Sequence, residues 1–112
     1  MAKIPSIERF HAHIYFDAEH VEHARKLAEA ADARFDLEVG RFHCEPVGPH
    51  PRGSVQLSMG AAVFGRFALW ALEARGIFTI MAHGLTGDDL VDHTEYVIWF
   101  GQSEPLDLSA LD

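Results

Sequence analysis

The stretch Arg9-Phe10-His11-Ala12-His13-Ile14-Tyr15-Phe16 alternates strictly, with Phe10, Ala12, Ile14 and Phe16 on one side and His11, His13 and Tyr15 on the other. Period-two alternation is the pattern of a strand with two different faces. One face reads as core and the other carries two imidazoles and a phenol. The rest of the chain must therefore supply cover for the apolar face. Asp17 reads as an N-cap, and Val21, Ala24, Ala28, Ala31 and Phe35 step by three and four, predicting a helix with one apolar stripe. Glu22 with Lys26, and Arg25 with Glu29, have the spacing of ion pairs on its solvated side.

A second strand is predicted over Leu37 to His43. Residues 45 to 53 hold three prolines and two glycines and read as turn. Ser54 to Met59 alternates as a third strand. Ala61 to Arg75 forms a second helix with Val63, Phe64, Phe67, Trp70, Ala71 and Ala74 inward, stopped by Gly76. Ile77 to Ala82 is almost wholly apolar, as in a strand covered on both faces. A polar turn, Thr86 to Asp89, leads to His93, and Tyr96 to Phe100 is a last strand. The tail from Gln102 is too short to be a domain.

The order is β-α-β-β-α-β with an added C-terminal strand, a single α+β domain of ferredoxin-like pattern. Both helices then cover one sheet face. The other needs a partner, and two sheets face to face would make a dimeric α+β barrel. The expected arrangement sets the first and third strands parallel in the sheet centre, which gathers His11, His13, His43, His50, His83 and His93 at one edge.

With 112 residues, the chain has room for one core, from 1 to 112. Its net charge of −8 provides no basic stripe for nucleic acid. One cysteine, Cys44, excludes an internal disulfide and fits a reducing compartment. No apolar run is long enough for a bilayer, and Met1 to Arg9 lacks the features of a signal peptide. A cytoplasmic protein is expected. Eight histidines are the one compositional anomaly. His20 and His23 fall on the flank of the first helix and read as solvated. His11 and His13, at i and i+2, share a face and can hold one divalent ion with others completing the site; imidazole suits iron, zinc, copper or nickel.

The segment Phe10 to Asp17, with Gly40-Arg41, Pro46-Val47-Gly48-Pro49-His50-Pro51, Thr86-Gly87-Asp88, Asp92-His93-Thr94 and Trp99-Phe100-Gly101, resembles the DOPA 4,5-dioxygenase family over about residues 10 to 108. The resemblance implies a dimeric ferredoxin-like domain that opens catechol rings with non-haem iron(II) and dioxygen. It departs from the family pattern at Gly84, where proline usually follows His83, and this is expected to loosen the loop. Such chemistry needs open coordination positions, so about three protein ligands are expected. His13, His50 and either His83 or His93 are read as metal ligands, and His11 or His43 as the acid/base group. Arg41 is a candidate partner for a substrate carboxylate, with a surface ion pair as its plain alternative. Tyr15 is a candidate substrate contact, and Trp99 reads as core. A carboxylate ligand would come from Glu45, Asp92 or Glu95. Zinc or nickel is expected in purified protein, with iron needed for turnover. The competing readings are a metal- or small-molecule-binding module without turnover, and a zinc hydrolase, which no H-E-x-x-H motif supports.

Overall fold

The computed structural model describes residues 6–111; the part of the signal-peptide reading that concerns residues 1–5 lies outside them. Five strands form one antiparallel sheet: β1 (Arg9–Phe16), β2 (Leu37–His43), β3 (Gly53–Gly60), β4 (Thr79–Gly84) and β5 (Val97–Phe100), in the order β2-β3-β1-β4-β5. Helices α1 (Val21–Arg34) and α2 (Ala61–Ala74) follow β1 and β3, and a single-turn helix, α3 (Asp89–Asp92), precedes β5. Among the described residues no helix is long and apolar enough to cross a membrane.

The apolar row of β1 lies in the main core, as its alternation requires. Ala12, Ile14 and Phe16 pack with Val55, Leu57 and Met59 of β3, Ile80 and Ala82 of β4, and Ala24, Leu27, Ala28, Phe64 and Phe67 of the helices. Leu27 also belongs to the buried stripe of α1, beyond the positions expected of it. Phe35, read as the last position of that stripe, instead lies past the helix end in extended backbone. Gly76, at φ +56°, ends α2 in the left-handed conformation expected of it.

The central pair corrects the expected arrangement. β1 and β3 are antiparallel, with Phe10 opposite Met59 and Phe16 opposite Gly53. β1 and β4 are also antiparallel, His11 facing His83. The start of β1 thus meets the ends of β3 and β4, whereas the end of β2 and the loop entering β3 lie at its far end. Histidines from both ends cannot share one edge. They share the open face instead.

Local readings shift as well. Asp17 makes no side-chain cap; its carboxylate takes Arg52 Nη1 at 3.2 Å. Arg25 reaches back to Glu22 at 3.3 Å and stacks over Phe42, in place of a pairing with Glu29. β4 begins two residues later than predicted, and Ile77 is 62% exposed.

The apolar fourth strand does not need a second copy for cover. Met81, on its open-face side, is already fully buried within one chain. Loop 44–52 and the tail are tied to each other. Arg52 holds Glu104 through two nitrogens at 3.0 and 2.8 Å, and the Asp107 N–H donates to Pro49 O at 2.8 Å.

Candidate metal centre

Antiparallel register fixes the lattice of the open face. His11 lies between Ser58 and His83, His13 between Gln56 and Met81, and Tyr15 between Ser54 and Thr79. On the far side of β4, Val97 faces His83 and Trp99 faces Met81. Trp99 is therefore outside the helix-side core. It meets Tyr15 edge to face, with ring centres 6.1 Å apart.

His11, His13 and His83 each offer one nitrogen, all within 4.8 Å of one another. The closest approach is His13 Nε2 to His83 Nε2, 3.1 Å. Two nitrogens held by one ion at about 2.0–2.1 Å stand roughly 3–4 Å apart, so the spacing fits. The tautomer fits too. His83 Nδ1 donates to the Gly84 carbonyl at 3.1 Å, leaving a lone pair on Nε2. This buried cluster can hold a metal ion.

His50 and His93 approach the cluster from outside the central strands. His50, carried by the proline-flanked loop, has its ring 4.2 Å from that of His13. His93, at the end of α3, has its ring 4.2 Å from that of His83 and donates Nδ1–H to the Asp89 carbonyl at 2.7 Å. The polar turn that begins at Thr86 holds α3 in position. The Asp88 carboxylate caps it, and the buried Asp92 carboxylate accepts both the backbone N–H and the hydroxyl of Thr86. Asp92 is thus committed to structure, and Glu45 and Glu95 are exposed, outside the histidine group.

Tyr15 is fully buried and lines neither cavity described below. Its Oη lies 2.7 Å from His50 Nδ1. Burial pushes the Tyr15 phenol above its ordinary pKa, so it stays protonated. Burial acts oppositely on the imidazoles, because it disfavours their charged form. It lowers His50 to about 4, helped by repulsion from His93 and His83. His83 is also lowered to about 4 by burial, against the opposing bond to Gly84 O. His13 falls well below its ordinary value, first through burial and then through His50 and His83. His11 is lowered by burial and by Arg9. Neutral imidazoles are the form that binds metal.

Arg41 and His43 are exposed and stand apart from the cluster, along a cavity of about 330 Å3 that reaches it through His13 and His50. A second cavity, about 240 Å3, lies over His11, His83 and His93 and is closed partly by Leu111 of the tail. His20 and His23 lie at the start of α1, His23 against Phe78.

Gly84 does not loosen a loop. It is a strand residue whose N–H donates to Tyr96 O at 3.1 Å, and Ile7 occupies the space where a side chain would project, 2.8 Å from an added Cβ.

Two curated relatives are longer than this chain. A DOPA 4,5-dioxygenase of Amanita muscaria is 31% identical across 94% of this chain and 50% of its own length. An uncharacterized 21.2 kDa protein of Botryotinia fuckeliana is 35% identical across 89% of this chain and 61% of its own. The chain spans about half to three-fifths of the length of these relatives. A solved chain from Nostoc punctiforme, provisionally designated a dioxygenase, is 36% identical with a TM-score of 0.89, over 93% of this chain and 90% of that one. The model of the Dopa 4,5-dioxygenase family matches residues 10–110, and the chain belongs to that family.

Proposed function

We propose that the protein is an extradiol dioxygenase that opens the ring of a catechol, of which DOPA is one, using iron(II) and dioxygen. The observation that carries the reading is the group of three histidine nitrogens within 4.8 Å, without a carboxylate, on a sheet face beside a cavity. Three ligands leave positions open for substrate and dioxygen. When bound, the iron supplies a Lewis acid that lowers the catechol pKa and a path for electron density from ring to dioxygen.

The ligand set we propose is His11, His13 and His83, with His93 beside it as a fourth donor whose Nε2 is left free by the bond from Nδ1 to Asp89 O. His50 then serves as the acid/base group in place of His11 or His43. A tyrosine hydroxyl both donates and accepts, so Tyr15 can pair with either tautomer of His50. Nε2 can thus take the catechol proton and later return it without losing the bond behind the ring. With a pKa near 4, His50 is unprotonated at neutral pH and ready to act first as base. The proposal includes a homodimer, supported by the exposed apolar side chains Leu69, Leu72 and Ile77 rather than by the fourth strand.

Anaerobic loading with ferrous iron, followed by air and a catechol panel, tests the reading. Yellow ring-opened product with iron, and none with zinc, is the expected result. Stoichiometric iron binding without product from any catechol would favour a binding module instead.

A further inference from the structure

The edge strand β2 contains one irregularity, and it falls beside the site. Val39 pairs with Leu57 and Phe42 with Val55, so Gly40 and Arg41 together oppose Gln56. This is a two-against-one bulge, which re-aims the side chains beyond it. Leu37 and Val39 face the core; unbroken alternation would turn Arg41 and His43 to that side as well. The bulge turns Phe42 to the core instead and brings Arg41 and His43 to the open face, where they line the 330 Å3 cavity with Ser54 and Gln56. Gly40 suits the bulge, because an added Cβ there would stand 3.2 Å from Gln56 O.

The charge of that cavity is one-sided. Its lining includes Arg41 and three histidines but no aspartate or glutamate. In a chain with 17 acidic and 9 basic residues, this is the opposite of the overall balance. Among the described residues no salt bridge engages Arg41. The second cavity, by contrast, does include a carboxylate, Asp89. The first cavity's volume lies near the lower end for small-ligand pockets, roughly 300–1,000 Å3.

We propose that this cavity takes the substrate's side arm, binding a carboxylate on Arg41 and offering no counter-charge to an ammonium group. The inference rests on the catechol reading above and narrows it. The substrate class is a catechol with a short alkanoate arm, preferred to amino-acid and amine catechols. A guanidinium can grip a carboxylate through two parallel N–H donors. An ammonium in the same cavity would meet Arg41, a like charge, and neutral polar groups, with no carboxylate to balance it.

Calorimetric titration of the zinc-substituted protein, which binds without turnover, separates recognition from chemistry. The probes are 3-(3,4-dihydroxyphenyl)propionate, DOPA, dopamine and 4-methylcatechol. The propionate should bind at least about tenfold more tightly than DOPA and dopamine, a difference of about 1.4 kcal/mol. Arg41→Gln should weaken the propionate more than 4-methylcatechol and erase the preference, whereas Arg41→Lys should retain part of it. Equal binding of DOPA or dopamine, or a preference that survives Arg41→Gln, would overturn the proposal. If the iron form opened none of the four rings while the zinc form kept the preference, ring opening would fail and the carboxylate pocket would stand. Opening of all four at equal kcat/KM would do the reverse.

Discussion

Tyr15 Oη and His50 Nδ1 stand 2.7 Å apart, joining the end of the central strand to the loop that enters β3. Loop 44–52 carries three prolines, is further tied to the tail, and sets His50 above His13. The phenol holds the ring's far nitrogen.

Tyr15→Phe removes that bond without opening a cavity. Turnover should fall about 10- to 100-fold while metal stoichiometry stays at wild type, as for outer partners that orient a working imidazole. A steeper loss at one limb of the pH–rate profile would mark the effect as proton handling, whereas an unchanged profile and rate would remove Tyr15 from the mechanism.

Substitution of individual histidines should divide metal binding from chemistry. His13→Ala and His83→Ala should lose the metal, because each takes one of three closely set nitrogens. His50→Ala should keep it and lose about 10²–10⁴-fold in turnover. His20→Ala and His23→Ala should alter neither. Elemental analysis beside steady-state rates reads all five; metal loss in His50→Ala would place that residue among the ligands.

Acid should destabilise the metal-free protein through its buried histidines. His50 and His83 have folded pKa values near 4, against 6.5 in the unfolded chain. A depressed value means that the fold resists the proton. Stability is therefore full above about pH 6.5 and is lost as the pH falls toward 4, by up to about 1.4 kcal/mol per pH unit for each histidine. Urea midpoints should drop between pH 7 and pH 5. A flat series would show that these rings are not buried neutral.

Gly84→Pro, which installs the residue more usual after this histidine, should destabilise this chain. It removes the N–H that donates to Tyr96 O and drives a ring into Ile7. A loss of about 1–3 kcal/mol is expected from the unpaired carbonyl alone, readable as a lower thermal midpoint.

The central strand, both helices and the two-faced character of β1 were legible because alternation and helical spacing encode burial directly. Strand direction was not. His11 faces His83 only because β1 and β4 are antiparallel, and no single segment carries that information. The bulge at Gly40-Arg41 had a local signal, a glycine inside a strand pattern, which commonly marks such a break. The tie between loop 44–52 and the tail had none, since it depends on Arg52 meeting Glu104 from fifty-two residues away. The histidines were recognisable as a set, but their ranking was not. That ranking depends on which rings have a partner behind them, Gly84 O for His83 and Tyr15 Oη for His50.

Ring opening under labelled dioxygen tests the central claim most directly. With the iron-loaded protein and a catechol turned over under 18O2, the account predicts that the ring-opened product carries both labelled atoms, with one dioxygen consumed per ring. A product without label, or oxygen consumed only to form hydrogen peroxide with the ring intact, would contradict it.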